Sequence, residues 1–353
     1  MLELSQKNIE RFDKNDMFDL ICRFPDQCIQ ALSIAEKASV NKKYKSTYHN
    51  IVFLGLGGSA IGADLIKSYL IEECSLPIFV VRDYSIPSFL NKDSLVFAVS
   101  YSGNTEETLS MYKKALKKKA KIIVVTSGGK LEALAIKNNN ALVKIPQGYP
   151  PRTALGFSFI PPLVLLGKLG IVKNKSAHIR RAVSVLKSML ERDLNPKKNN
   201  ISKQLAKTFY NRVPVFYSAN THFDVVSVRW RGQLAENSKA LSSMHVYPEM
   251  NHNEIVGWQH PDNMLKSFIA VNLRDKMNHS RVKLRMDISS KILKRAGFRC
   301  VDIYSKGDEV LSRILSLMYI GDFVSFYLAI LYGINPTPVE RISYLKGELA
   351  KRN

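Results

Sequence analysis

Two segments that could bind an anion each stand between a short apolar run and a helical pattern. The first is GLGGSA at 55–60, in which Gly57, Gly58 and Ser59 lie between a predicted strand and a helix predicted at 60–70. Glycines let the backbone approach an anion closely, and the first helical turn offers unpaired N–H groups at the positive end of the helix dipole. The same letters also fit the dinucleotide fingerprint GxGxxA, with Asp83 as the ribose-binding acid, or a tight turn without a ligand. This segment alone leaves the three alternatives open.

The second segment is SYSGNTEE at 100–107, which brings three hydroxyl groups to the start of another predicted helix. Ser100, Ser102 and Thr105 can donate to phosphate oxygens there, which suits a phosphomonoester better than a nicotinamide ring. Both segments would face one crevice at the carboxyl ends of parallel strands, where ligands bind in open α/β sheets. The absence of GxxxxGK[ST] argues against a P-loop NTPase. The pair therefore predicts a phosphate-binding crevice, with two ordinary helix caps as the alternative.

Three histidines invite the question of a metal site. His245, His252 and His260 are separated by seven and eight residues, and no HxH or HExxH spacing occurs. Pro248 and Pro261 break any single helix that would align the three side chains. We therefore expect no metal and no cofactor.

The elements that position these residues follow an α/β pattern. Residues 1–49 read as a helical segment, 50–195 as a first doubly wound domain and 196–353 as a second, with the polar stretch 195–200 as linker. Runs of about five apolar residues separated by helices are typical of parallel strands covered on both faces. The predicted strands are 51–54, 77–81, 95–100, 122–126, 213–218, 267–272 and 300–304. A buried helix at 314–330 and an amphipathic one at 338–350 end the chain.

The charge balance favours anionic partners. The 353 residues include 52 Lys plus Arg and 30 Asp plus Glu, a formal net charge of +22. A lysine-rich run at 113–121 raises the possibility of nucleic acid, but its helix also carries core-spaced apolar positions and no interleaved aromatic platform. The pattern therefore favours a helix face on which the lysines are exposed to solvent, and we expect no nucleic-acid partner.

The sequence also bears on location. The best candidate for a membrane span, 157–166, is short and interrupted by Pro161 and Pro162. The N-terminal residues carry no apolar stretch of a secretion signal, and the four cysteines form no CxxC pair. We expect a cytoplasmic protein that is not bound to a membrane.

Six motifs in order carry a resemblance to a known family. They are GLGGSAIG, SYSGNTEET, PPRTALG, AENSKA, PEMNHNEIVGW and NPTPVERISYLK. From about residue 50 to the end, the chain resembles the bifunctional phosphoglucose/phosphomannose isomerases. The resemblance implies two tandem sugar isomerase (SIS) domains with flavodoxin-like sheets. It also implies a homodimer that interconverts glucose 6-phosphate and mannose 6-phosphate with fructose 6-phosphate through an enediolate.

The resemblance also implies roles for five residues. Glu236 matches the catalytic base, and His252 matches the ring-opening residue, which in this family comes from the neighbouring subunit. Arg152 matches the arginine that faces the enediolate, a role that suits a fixed guanidinium. Lys346 matches an active-site lysine near the C-terminus. Thr337 matches the small polar residue that leaves room for either C2 epimer.

Three other functions stay open on the sequence. They are an isomerase limited to glucose 6-phosphate, a SIS-type sugar-phosphate sensor without catalysis, and an NAD-binding dehydrogenase. Glu236 and His252 argue against the sensor, because a protein that only binds sugar phosphate needs neither a base nor a ring-opening acid.

Overall fold

A computed structural model describes residues 1–352, in which nine strands form two parallel sheets joined by helices. The strands of the first sheet are β1 Asn50–Leu54, β2 Ile78–Val81, β3 Ser94–Ser100, β4 Lys121–Thr126 and β5 Ala141–Lys144. Their order in the sheet is β2-β1-β3-β4-β5. All residues of β1 and β3 are buried, as expected for apolar strands that are covered on both faces.

The second sheet repeats this arrangement with one strand fewer within residues 1–352. The strands are β6 Val213–Ala219, β7 Ser243–Tyr247, β8 Phe268–Arg274 and β9 Arg299–Tyr304. Their order is β7-β6-β8-β9, which matches the order of the first four strands of the first sheet. The prediction of two doubly wound, flavodoxin-like sheets is confirmed.

Fourteen helices accompany the sheets in the described residues. The N-terminal helices are α1 Gln6–Phe12, α2 Met17–Cys22 and α3 Phe24–Lys37, and those of the first sheet are α4 Gly57–Leu70, α5 Glu106–Lys117, α6 Gly129–Lys137, α7 Leu155–Lys168 and α8 Ser176–Arg192. The rest are α9 Ile201–Phe209, α10 Asn220–Asn237, α11 Asp262–Leu265, α12 Ser280–Arg295, α13 Val310–Tyr332 and α14 Glu340–Ala350. Short 3₁₀ turns occupy Lys42–Tyr44, Pro151–Thr153, Glu249–His252 and Glu254–Gly257.

One continuous core joins the inner faces of the two sheets. Phe53 and Phe97 of the first sheet and Phe216 of the second belong to it, together with apolar residues of α4, α7, α10 and α13. The outer face of the first sheet is covered by α5 and α6. The outer face of the second sheet is covered by α12 and the segment 249–258. The helices packed between the two sheets therefore determine how residues of the first and second sheets are placed relative to one another in the candidate site.

Helix α13 corrects one expectation about apolar segments. The sequence predicts 157–166 as the best candidate for a membrane span, but within residues 1–352 the helix that is long and apolar enough is α13. Every residue from Leu311 to Leu331 is buried inside the fold. Arg313 and Asp322 lie within it and form ion pairs with other parts of the protein. These features are those of a core helix, because protein atoms surround the apolar side chains and satisfy the charged ones.

The N-terminal helical segment packs into the same core. Cys28 and Leu32 of α3 are fully buried, and the side chain of Gln27 donates to the carbonyl of Thr153 at 2.8 Å and accepts from the amide of Gly156 at 2.8 Å. These bonds link α3 to the turn that carries Arg152. The division into 1–49, 50–195 and 196–353 stays a prediction, and its last residue, Asn353, lies outside the described residues.

Candidate active site

The turn between β1 and α4 exposes backbone atoms at the site, because two glycines without side chains stand at its junction with the helix. Gly57 has a φ of +52°, which favours glycine. A Cβ atom on Gly58 would lie 2.5 Å from the carbonyl oxygen of Pro151, so only glycine allows this close approach. Leu56 precedes α4 and has no side-chain acceptor to cap the first N–H groups of the helix. The turn therefore presents the N-terminus of α4 directly beside Arg152.

The turn between β3 and α5 is built by its own hydroxyl groups. The buried hydroxyl of Ser100 lies 3.0 Å from that of Thr105 and accepts from the amide of Gly103 at 3.1 Å. The side chain of Ser59 accepts from the amide of Tyr101 at 3.2 Å, which ties this turn to the start of α4. Ser102 is exposed. The two predicted anion-binding turns are thus adjacent, and Ser102 offers the more accessible hydroxyl.

Arg152 is the side chain around which the site is assembled. It lies in the 3₁₀ turn before α7 and is only 3% exposed. Its Nε donates to Oδ1 of Asn237 at 2.6 Å, and its Nη2 donates to the carbonyls of Pro336 and Thr337 at 2.9 and 2.8 Å. The remaining Nη1 lies 3.5 Å from Oε2 of Glu236. The guanidinium plane is therefore fixed by neighbouring segments.

The pairing of Arg152 with Glu236 joins a buried cation to an accessible carboxylate. The side chain of Glu236 is 33% exposed and that of Arg152 is 4% exposed. The pKa of Arg152 is lowered, chiefly by burial and also by the neighbouring Arg229, while Glu236 partly offsets these effects. The guanidinium nevertheless stays charged. Glu236 stands in the last turn of α10, where the helix dipole disfavours a carboxylate and Arg152 compensates. A carboxylate that solvent can reach, next to a fixed cation, can accept a proton from a bound molecule.

A buried polar network holds α10 against α13 below this pair. Asp322 of α13 accepts from Nη2 of Arg229 and from Nε2 of Gln233, both at 2.8 Å. One turn further along, Nδ2 of Asn237 donates to the hydroxyl of Ser325 at 2.9 Å. Sequence reasoning missed these residues because the partners lie about ninety positions apart. For Asn237 a signal existed, since it belongs to the AENSKA motif.

A cavity of about 270 Å³ opens between these elements. The charged groups of its lining are several guanidinium groups and one carboxylate, an arrangement suited to an anionic ligand. Lining residues include Gly57, Gly58, Arg82, Arg152, Arg229, Arg231 and Glu236. Arg82 and Arg231 were not foreseen, although Arg82 directly precedes Asp83, the acid considered for a dinucleotide.

The structure does not bring His252 to Glu236 within one chain. Helix α10 packs on the inner face of the second sheet, whereas the segment 249–258 packs on its outer face. Asn251, beside His252, donates to the hydroxyl of Ser289 on α12 at 2.8 Å. His252 itself is exposed. The second sheet therefore separates the two residues.

The segment that carries His252 is anchored from below by Tyr217. The hydroxyl of Tyr217 donates to Oε1 of Glu254 at 2.5 Å and accepts from Nε1 of Trp258 at 2.8 Å. Burial and the neighbouring Glu254 raise the pKa of Tyr217, so its hydroxyl stays protonated and remains a donor. This anchor gives His252 a defined place on the outer surface.

The two remaining predicted residues lie near the C-terminus. The backbone of Thr337 contacts Arg152, while its hydroxyl is buried and has no hydrogen-bond partner in the part of the chain that is described. Lys346 is exposed on α14, a helix without buried residues. No ion pair or hydrogen bond within residues 1–352 joins Lys346 to Arg152, Glu236 or Thr337. A single chain thus brings together the two turns, Arg152, Glu236 and Thr337.

Residues 1–352 contain no group of three or more His, Cys, Asp or Glu side chains placed to hold a metal ion. Catalysis without a metal or another cofactor stays a prediction.

Comparisons with known proteins define the class of the chain. The model of the SIS domain matches residues 46–142, and the model of the bacterial phospho-glucose isomerase C-terminal SIS domain matches residues 198–349. A hypothetical protein from Thermus thermophilus shares the fold, with a TM-score of 0.75 and 15% identity over 98% of this chain and 93% of that chain. The chain is therefore a protein of two tandem SIS domains.

Full-length relatives define the family. A bifunctional phosphoglucose/phosphomannose isomerase of Caldicellulosiruptor bescii is 43% identical over 95% of this chain and 99% of the relative. One from Aquifex aeolicus is 39% identical over 86% of this chain and 91% of the relative. The chain belongs to the bifunctional phosphoglucose/phosphomannose isomerase family and is an isomerase.

Proposed function

We propose that this isomerase interconverts glucose 6-phosphate and mannose 6-phosphate with fructose 6-phosphate. The observation that carries the proposal is the pairing of Glu236 with the buried guanidinium of Arg152, 3.5 Å apart beside the glycine turn of α4. The names of the relatives supply the substrates, and the arginine-lined cavity supports an anionic ligand. The pairing favours catalysis over sugar-phosphate sensing, because binding alone needs no accessible carboxylate beside the cation.

The chemistry follows from where the charges lie. Ser59, Ser102 and Thr105, with the first N–H groups of α4 and α5, hold the phosphate. Glu236 takes the proton from C2 of the open-chain aldose, and the electron pair left on C2 forms the C1–C2 double bond of an enediolate. Arg152 stabilises the negative charge that develops on oxygen. For the ketose, Glu236 returns the proton to C1 while the hydroxyl proton of O2 moves to O1 and C2 becomes the carbonyl carbon. For the two aldoses, Glu236 returns the proton to either face of C2 and C1 becomes the carbonyl carbon again.

Ring opening falls to His252 of a second subunit in a homodimer. The second sheet lies between Glu236 and His252 of one chain, so a histidine from a partner is the simpler source of the proton transfer. Lys346, on the exposed helix α14, completes the site in the same assembly. The hydroxyl of Thr337, which bonds to no protein group described, leaves room for either C2 epimer. We place this metal-free enzyme in the cytoplasm.

The test is an isomerisation assay in tritiated water with glucose 6-phosphate and with mannose 6-phosphate, with and without a chelator. Both substrates yield fructose 6-phosphate, solvent tritium enters the product, and chelation changes nothing. Glu236→Gln keeps the shape but cannot accept a proton, so turnover falls by about 10² to 10⁴. The matched control is Glu191→Gln, an exposed glutamate on α8. Unchanged turnover in Glu236→Gln removes this residue from the mechanism, and turnover of only one aldose restricts the activity to that substrate.

A further inference from the structure

Lys239 is a cation of the site that the proposed chemistry leaves without a role. It follows Ser238, the residue that caps the end of α10, and belongs to the AENSKA motif. Its ammonium group donates to the carbonyls of Glu236 and Asn237, at 2.9 and 3.4 Å. It also donates to the carbonyls of Asn335 and Pro336, at 3.2 and 2.9 Å. One side chain thus joins the end of α10 to the segment that precedes α14.

The backbone of Lys239 is in a conformation that glycine usually supplies. Its φ is +53°, in the left-handed region just after the end of a helix, where a side chain costs about 1 kcal/mol relative to glycine. The ammonium group of Lys239 offsets this cost, because it donates to the free carbonyls at the negative end of the helix dipole. A glycine would provide the turn but not the link to the segment 335–337.

Arg152 holds the same segment through hydrogen bonds of its own. The carbonyl of Pro336 accepts from Nη2 of Arg152 and from Nζ of Lys239, each at 2.9 Å. Arg152 also donates to the carbonyl of Thr337. Because two cations share one acceptor, loss of Lys239 would free the segment on one side and let the guanidinium shift with it.

We propose that Lys239 is a positioning residue for the isomerisation, which holds the segment 335–337 so that Arg152 and Thr337 face the reacting carbons. This inference rests on the proposed function, because it assumes that Arg152 acts on the enediolate. Arg152 stabilises the transition state rather than the bound substrate, so misplacement lowers kcat while KM stays nearly constant. A shift of about 1 Å in a catalytic group can cost about 10²-fold in rate.

The charges around Lys239 make this role dependent on pH. Glu236 of α10 and Glu340 of α14 attract the ammonium, while Arg152 of the 3₁₀ turn repels it. Burial and Arg152 lower the pKa of Lys239 to about 8. Above that pH the amine is neutral and has fewer protons to donate to the four carbonyls. Activity should therefore fall above about pH 8 because the segment 335–337 loosens.

The experiment compares Lys239→Met, Lys239→Arg and the control Lys168→Met in the full-length protein. Lys168 likewise donates to two backbone carbonyls, those of Glu36 and Ala38 at 2.7 Å, on a different part of the surface. For Lys239→Met we expect kcat to fall by about tenfold or more with KM within about twofold, at an unchanged circular dichroism spectrum. For Lys239→Arg we expect activity to be largely restored and the loss above about pH 8 to disappear, since a guanidinium does not titrate there.

Two outcomes overturn the inference. If Lys239→Met keeps the parent kcat and pH profile, or loses activity no more than Lys168→Met, Lys239 has no positioning role. If kcat and thermal stability fall together in both Lys239 variants, and the pH profile is unmoved, its role is structural. Glu236→Gln measured alongside separates this failure from that of the proposed function, because that variant should be inactive whatever Lys239 does.

Discussion

Arg152 shows how a single side chain can define a site before any ligand is present. Three of its nitrogen atoms are used by protein acceptors or by Glu236, so the guanidinium cannot rotate without breaking several contacts at once. A lysine would keep the charge but would lose the planar array of donors. In the proposed mechanism this preorganisation favours catalysis, because the cation needs no reorientation when charge develops on the substrate.

The serines of the second anion-binding turn offer a matched pair at this scale. We predict that Ser102→Ala raises the KM for both aldose phosphates, with little change in melting temperature, because Ser102 is exposed and free to contact phosphate. Ser100→Ala removes buried hydrogen bonds to Thr105 and Gly103, so it should lower the free energy of unfolding by about 1 to 3 kcal/mol. Steady-state kinetics and thermal melts of both variants check this. An unchanged KM in Ser102→Ala would place the phosphate elsewhere.

The sequence allowed the neighbourhood of these residues to be predicted but not their contacts. Gly58 and Ser59 could be placed at a helix start because a strand–glycine–helix pattern is local. The position of Asn237 against Arg152, 85 residues earlier, depends on how α10 meets the first domain. Such a contact leaves no trace in local spacing, whereas the family resemblance pointed to Arg152 and Glu236 without giving the reason they meet.

Most elements followed from their apolar periodicity. Strands β1, β2, β3, β4, β6, β8 and β9 were predicted within one or two residues, because apolar runs of this length between turn signals indicate strands. Strands β5 and β7 were missed, because each is an edge strand of four or five residues with polar neighbours. Each gains its place from pairing with the adjacent strand, β4 for β5 and β6 for β7.

The geometry of the candidate site depends on the packing of α10 against α13. We predict that Asp322→Ala destabilises the fold by about 3 to 5 kcal/mol, because it leaves Arg229 buried without its counter-ion. The comparison is Lys276→Ala, which removes an exposed ion pair with Asp308 and should leave the urea midpoint nearly unchanged. Urea unfolding of both variants measures the difference. Equal midpoints would show that the network between α10 and α13 contributes little.

The proposed dimer would cover a row of apolar side chains that one chain leaves exposed. Leu284, Ile288 and Ile292 recur every four residues along one face of α12, and each is nearly half exposed. The helix lies beside the segment that carries His252, through the contact of Asn251 with Ser289. A partner subunit that receives His252 would also cover part of this face of α12. One dimer interface would therefore both supply His252 to the neighbouring site and bury these exposed apolar side chains.

The dimer can be tested by restoring activity from two inactive proteins. If each site combines Glu236 of one chain with His252 of the other, Glu236→Gln mixed with His252→Ala forms heterodimers in which one of two sites is intact. Random exchange then restores about a quarter of the parent sites, since half of the dimers are mixed.

The control for this experiment mixes Glu236→Gln with Arg152→Ala. Arg152 and Glu236 contact each other within one chain, so every site of that mixture carries a lesion and no activity returns. Native mass spectrometry establishes that heterodimers have formed in both mixtures. Activity that appears only in the mixture with His252→Ala is the expected result. If both mixtures stay inactive although heterodimers are present, His252 does not act across a subunit boundary, and the second sheet then excludes it from the site of its own chain as well.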